Sequence, residues 1–322
     1  MPRPLLTLSL LASAALLLTG CATAAGAPSP STTNAVPIDN CGVRVPVTAP
    51  PKRVITIKST STEMLLALGL GDRIVGTAFQ DGPVPAKWAD AAAGLPVLAD
   101  KVPSQEVVLA ANPDFIYAGW ESNFSADGAG TRPDLAALGI RTYVSPAACK
   151  ESAYKPARLT FGDIDEEIGE VADIFGVNDA DLIVEQHATL ASITKDTRGL
   201  SALWFSSGSD IPYVGAGIGA PQLILDTVGL RNIAADVKDT WASYNWESVI
   251  AANPDVIVLV DASWSTKEKK IAVLEGNPAT AKLNAVKNHR YLIVPFAASE
   301  AGVRTVDAAA DLAQQLAALN LG

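Results

Sequence analysis

Lys58-Ser59-Thr60-Ser61-Thr62 places one ammonium group and a run of hydroxyls directly after the β-branched stretch Val54-Ile55-Thr56-Ile57 and directly before an apolar helical stretch. Unpaired N–H groups at a helix start, hydroxyls and a Lys converging on one point suit an anionic group. The same residues also read as local structure, because Thr60-x-x-Glu63 is a capping box that would satisfy those N–H groups from within. Arg304, in the first turn of the closing helix, is a candidate second positive charge or simply a surface Arg.

Side chains just after each apparent strand form the rest of a candidate lining, since open parallel sheets bind ligands beyond the carboxyl ends of their strands. They include Phe79, Gln80, Trp120, Glu121, Ser145, Ser207, Trp264 and Phe296, with Tyr213 and Trp241 on nearby loops. Flat side chains recurring at these positions predict a ligand with a planar or apolar ring, held by stacking and hydroxyl hydrogen bonds; singly, each also reads as a loop-buried aromatic. Other chemistries fit less well. The two histidines, His187 and His289, lie away from strand ends, and neither accompanies a G-x-S-x-G element, which argues against a metal site, histidine-ligated haem and a Ser-His-Asp hydrolase. Glu121 and Asp261 remain open as a carboxylate pair. Tyr213-Val214-Gly215-Ala216-Gly217-Ile218-Gly219-Ala220 passes a G-x-G-x-x-A test, but reads better as a glycine turn packing a helix on a sheet, so no cofactor is expected. With 24 basic against 34 acidic residues the chain carries −10, which argues against nucleic acid and against a polybasic membrane patch.

The elements that must position these residues come in two sets. Ser104-Gln105-Glu106-Val107-Val108-Leu109-Ala110-Ala111-Asn112-Pro113-Asp114-Phe115-Ile116 recurs as Asn245-Trp246-Glu247-Ser248-Val249-Ile250-Ala251-Ala252-Asn253-Pro254-Asp255-Val256-Ile257. Each copy predicts a short helix opened by a polar residue and a Glu, stopped at Asn-Pro and followed by a buried strand. A repeat at this distance marks a duplicated α/β half rather than a solenoid. Strand–helix alternation predicts a lobe over 50–160 and a second over 200–322, each with a parallel sheet. Between them, 161–199 predicts a helix, a break at Gly176-Val177-Asn178 and a longer helix. A helix is also expected at Pro278–Lys282.

The N-terminus reads as a targeting segment. Arg3, the apolar run Leu5 to Leu18 and Leu18-Thr19-Gly20-Cys21 resemble a bacterial lipoprotein signal over 1–20, with Cys21 lipidated and 21–49 forming a tether and arm. That predicts an extracytoplasmic, lipid-anchored protein. Cys41 and Cys149 then remain as one disulfide or as two free buried thiols.

The paired helix, Asn-Pro-Asp and strand resemble the substrate-binding proteins of ABC importers for iron-siderophores and cobalamin, from about Pro50 to the C-terminus. The resemblance implies two Rossmann-like lobes joined by a long interdomain helix (the class III arrangement), a monomer that is not an enzyme, a small-molecule ligand, and a membrane permease with ATPase subunits as partners. It implies that Glu106 and Glu247 dock against permease arginines; the macrodipole also favours a Glu in a first helical turn. Thr56 to Phe79, Tyr117 to Phe124 and Tyr143 to Lys150 look like a branch proposed to carry a deazaflavin precursor, coenzyme F-420 lacking its glutamate tail, in which an anionic phosphodiester would sit at Lys58 to Thr62. Ferric siderophores and corrinoids are the alternative cargo. An enzyme on the same scaffold and a surface interaction protein are the rival classes.

Overall fold

The structure, a computed structural model, describes residues 37–319; the signal segment and Cys21 lie outside the described residues. The chain enters through a small antiparallel hairpin, β1 (Ile38–Asn40) and β2 (Val43–Val45). The first lobe follows: β3 (Val54–Ile57), α1 (Ser59–Ala67), β4 (Ile74–Ala78), α2 (Ala89–Ala92), β5 (Val97–Ala99), α3 (Gln105–Ala110), β6 (Phe115–Ala118), α4 (Arg132–Ala137) and β7 (Arg141–Val144). Two helices, α5 (Phe161–Phe175) and α6 (Ala180–Ser192), lead to the second lobe. That lobe contains β8 (Ser201–Ser207), β9 (Tyr213–Gly215), α7 (Ala220–Val228), β10 (Arg231–Asn232), β11 (Trp241–Ser243), α8 (Trp246–Ala252), β12 (Val256–Asp261), α9 (Lys267–Gly276), α10 (Asn284–Lys287), β13 (Tyr291–Pro295) and α11 (Thr305–Ala318).

The first sheet runs β5-β4-β3-β6-β7, parallel throughout. Alternation along its strands separates two cores. Val54, Phe115, Tyr117 and Tyr143 face Met64 and Leu65 of α1 and Ile164, Ile168, Val171 and Phe175 of α5. Ile55, Ile57, Ile116 and Val144 face Val108 of α3 and Leu135 of α4. The second sheet, β11-β9-β8-β12-β13, repeats the plan: α7 and α11 cover one face, α8, α9 and α10 the other. It departs from the all-parallel expectation, because β9 and β11 run antiparallel to their neighbours. The five residues between β8 and β9 turn the chain back at once, where a parallel partner would need a crossover.

Both copies of the repeat form as predicted. Ser104 and Asn245 cap their helices by accepting from Val107 and Ser248 N–H, and Asn112 and Asn253 leave the helix in the left-handed region (φ 49° and 41°), a conformation Asn tolerates. Each following Asp ties the repeat to the first strand of its own sheet. Asp114 accepts from the N–H groups of Lys52 and Arg53, and Asp255 from the N–H and hydroxyl of Ser201.

The break between α5 and α6 falls at Gly176, left-handed at φ 64°, but the helix after it has 13 residues against 15 for α5 and is not the longer one expected. From there α5 packs into the first lobe, whereas α6 lies along α11 of the second. The helix expected at Pro278–Lys282 is a single tight turn at Thr280–Lys282 running on to α10, and α9 before it was missed because its ten residues carry little apolar patterning. Cys41 and Cys149 are bonded, with Cα atoms 5.4 Å apart. Beside the bridge, Asn40 exchanges hydrogen bonds with the Val144 backbone, so the arm is fastened to the edge strand β7.

Candidate functional site

In the first sheet the chain order reverses between β3 and β6, and in the second between β8 and β12. The ends of adjacent strands that diverge in this way leave a crevice. Lys58 follows β3, Trp120 follows β6, Ser207 ends β8 and Trp264 follows β12; these four residues share one chamber between the lobes.

Strand β3 passes into α1 through a single residue, Lys58, held at φ 84° and ψ 152°. A non-glycine residue in this region is strained and persists only where its surroundings impose it. Here the hydroxyls impose it. Ser61 Oγ donates to the carbonyls of Ile57 and Lys58, and Thr62 Oγ1 bonds Thr56 Oγ1 at 2.8 Å and the Lys58 carbonyl. Gly119 closes against the same turn: a Cβ there would lie 2.5 Å from Thr60 Oγ1 and 2.9 Å from Lys58 Cβ.

The capping box that Thr60-x-x-Glu63 offers as the alternative to an anion site does not form. Helix α1 begins at Ser59, which puts Thr60 and Glu63 inside it, and no side chain among the described residues caps its start. The N-terminus is met instead by Asp81, whose carboxylate accepts from Ser59 N–H and pairs with the Lys58 ammonium and whose own N–H donates to the Ser59 hydroxyl. The chain's own carboxylate thus occupies the position expected for a ligand anion. Burial pushes the Asp81 carboxyl up, against the pull of Lys58. Glu63 points inward and accepts from Arg304 across the lobes at 3.1 Å. Burial raises its pKa to about 7 even so.

Around the Lys58 ammonium stand aromatic rings from both lobes. Its Nζ lies 3.8 Å from the centre of Trp120, 4.4 Å from Phe79 and 5.0 Å from Phe296, distances at which a cation is attracted to a ring face. Trp241 and Trp264 pack on Phe296, and Tyr213 stacks on Trp241. With Asp81, Ser206, Ser207 and Glu300 these residues line a chamber of about 320 Å³. A second, more polar chamber of about 350 Å³ shares Trp120, Tyr213, Trp241 and Glu300 with it, and adds Thr60, Ser122, Ser145, Lys150, Lys155, Asp239 and Thr240 among its walls. At the junction, Trp120 Nε1 donates to Glu300 Oε2 at 2.6 Å, a bond between lobes.

Of the residues singled out from sequence, Lys58, Phe79, Trp120, Ser207, Tyr213, Trp241, Trp264 and Phe296 meet in the aromatic chamber, and Thr60 and Ser145 line the polar one. Ser59, Ser61, Gln80, Glu121 and Arg304 line neither. Gln80 bonds the Ala78 carbonyl, Glu121 accepts from Lys150 N–H, and Asp261 accepts from Lys267 N–H, so the open carboxylate pair is two separate loop ties. The glycine turn packs helix on sheet as expected: a Cβ on Gly215 would lie 2.4 Å from Pro221 Cβ of α7 and 2.8 Å from Trp204 Cδ1 of β8. The strand-end reading of the sequence also takes in Asp81 and Glu300 as lining, without a role for either, and has no signal for Lys155 or Thr240. Glu106 and Glu247 are exposed in the first turns of α3 and α8.

Two α/β lobes enclosing an aromatic crevice define a solute-binding protein, and the comparisons agree. The chain belongs to the Periplasmic binding protein family, matched over residues 54–298. It is 27% identical over 271 residues to the "Uncharacterized ABC transporter substrate-binding lipoprotein YvrC" of Bacillus subtilis (strain 168), covering 83% of this chain and 80% of that one. It is 27% identical over 213 residues to a "Vitamin B12-binding protein" of Yersinia pestis (strain Pestoides F), covering 65% and 69%. Among solved structures, an "ABC-type Fe3+-hydroxamate transport system" protein of Saccharomonospora viridis DSM 43017 superposes with a TM-score of 0.75 at 26% identity, over 88% of this chain and 99% of the other. The protein is a substrate-binding protein of the ABC-transporter kind, not an enzyme.

Proposed function

We propose that the cargo is a small ring-containing molecule of the size of the deazaflavin cofactor precursor, bound between the lobes and delivered to a membrane permease driven by ATPase subunits. The observation that carries this is the convergence of Phe79, Trp120, Tyr213, Trp241, Trp264 and Phe296 from both lobes on one chamber. Aromatic walls favour a flat ring, and volumes of about 320 and 350 Å³ fall at the small end of ligand sites, roughly 300–1,000 Å³. Since Asp81 already occupies the start of α1, an anionic tail finds its hydroxyls and ammonium groups in the polar chamber instead, at Ser122, Thr240, Lys150 and Lys155. A ferric siderophore or a corrinoid is the second reading, favoured by the names of two relatives. Exposed Glu106 and Glu247 are the docking points for the permease, and Cys21 the lipid anchor, in keeping with a relative named a lipoprotein.

Quenching of tryptophan fluorescence in the purified protein, titrated separately with a 5-deazaflavin, a corrinoid and a ferric hydroxamate, tests the reading. Saturable quenching by the deazaflavin at micromolar concentration or below is the expected result. Tight binding of either of the others, with none of the deazaflavin, would overturn it.

A further inference from the structure

Glu300 sits where the two chambers meet, 9% exposed, and lines both. One of its oxygens accepts from Trp120. The other, Oε1, is buried and receives no hydrogen bond within the described residues, although the Trp241 indole lies near enough to stabilise the carboxylate. A buried carboxylate oxygen without a donor is costly, and in native proteins such an atom calls for a partner that the isolated chain lacks. Lys58 is not that partner, because its ammonium is engaged by Asp81 and boxed by rings; burial pushes the Glu300 carboxyl up, against the pull of Lys58. The aromatic chamber thus holds two carboxylates, Asp81 and Glu300, against the single cation of Lys58. What is missing is a donor.

We propose that Glu300 Oε1 reads the cargo: the ligand is a planar nitrogen heterocycle that lies against the aromatic walls and directs an N–H on its edge to this oxygen. This rests on the reading that a ring binds in the cleft, and adds which edge chemistry the cleft selects. Trp120 fixes the carboxylate from the first lobe, so that a ring entering between the lobes meets an acceptor already oriented.

A matched pair of probes tests it on the purified full chain: a 5-deazaflavin with hydrogen at N3 of its pyrimidinedione, and the same compound methylated at N3. Calorimetric titration of both is carried out on the wild type and on Glu300→Gln, whose amide can accept from Trp120 but offers N–H where the free oxygen stood. The N3–H probe is expected to bind the wild type about 10- to 100-fold more tightly than the methylated one, the range of a hydrogen bond to a charged group. Glu300→Gln should remove most of that advantage while changing the methylated probe's affinity little, so that the two alterations are not additive. Should the substitution impair folding, Glu300→Asp, which keeps the carboxylate, must still prefer the N3–H probe. Equal affinity of the two probes, or an undiminished preference in Glu300→Gln, would overturn the role of Glu300 and leave the ring cargo standing. Failure of both probes to bind the wild type would overturn the deazaflavin-sized cargo and this inference with it.

Discussion

The ends of β3 and β8, equivalent strands in the two lobes, are built differently. After β3 the chain makes a strained turn at Lys58 and enters α1 at once, bringing a buried ion pair with Asp81 to the cleft. After β8 it turns through exposed loop residues into the antiparallel β9, and brings aromatic side chains, Tyr213 and Trp241, from the added strands. The repeated Asn-Pro-Asp segments, by contrast, have kept the same work in both lobes: cap, left-handed Asn, and an Asp that clamps the first strand. The parts that fold each half remain duplicated, and the parts that face the cargo have diverged. One lobe supplies rigid charge, the other most of the flat surface.

Four tests sharpen or break this comparison. The largest effect is expected at the matched helix starts: Glu106→Ala with Glu247→Ala should abolish uptake in a transport assay while ligand affinity stays within a few-fold. A large loss of affinity would place these residues at the ligand rather than at the permease. Within the cleft, Trp120→Ala should cost roughly 100-fold in ligand affinity, because it removes a buried wall and the anchor of Glu300, whereas Trp264→Ala, at a site 52% exposed, should cost only a few-fold. Equal losses would mean that the two lobes contribute alike.

For the duplicated clamps, Asp114→Ala and Asp255→Ala should each lower unfolding stability by about 1–3 kcal/mol, read from urea denaturation, since each leaves backbone N–H groups at a strand start without their acceptor. Markedly unequal values would mean that the repeat has lost its common function. The smallest effect concerns Glu63. Its pKa is about 7 in the fold, above its ordinary value of 4.5, so the native state holds a proton that the unfolded chain releases between those limits. The sign follows: this group favours the fold below pH 4.5, and the contribution is lost as pH rises through about 7. Glu63→Gln should therefore gain on the wild type by about 1–2 kcal/mol between pH 5 and 6.5, measured by denaturation at each pH. A difference that does not vary with pH would show that Glu63 does not titrate there. The Arg304 partner makes this a test of contact between lobes, in contrast with the clamps, which act within one.

Much of the fold could be read in advance because it depends on local rules. β-Branched runs such as Val54 to Ile57 and Val256 to Val260 form buried strands, and Asn-Pro stops a helix wherever it occurs. The site was legible as positions but not as partners. Trp120 and Phe296 were marked as strand-end aromatics, yet nothing local tells that their rings come within 6.4 Å of one another across the cleft. The capping box at Thr60 and Glu63 misled because its spacing is right while its register is not: α1 begins one residue after β3, and that start is set by Ser61 and Thr62 hydroxyls bonding back to the turn.

By itself the sequence determined that there are two α/β halves, where their strands end and which side chains stand there, since these follow from periodicity and turn chemistry within a few residues. Only the tertiary structure decided which charges are already answered inside the protein. Lys58 meets Asp81, Glu63 meets Arg304 and Trp120 meets Glu300 over separations of 23, 241 and 180 residues. The first depends on how the turns after β3 and β4 meet within one lobe, the other two on how the lobes close on one another. That closure also leaves Glu300 Oε1 buried and without a hydrogen-bond donor among the described residues.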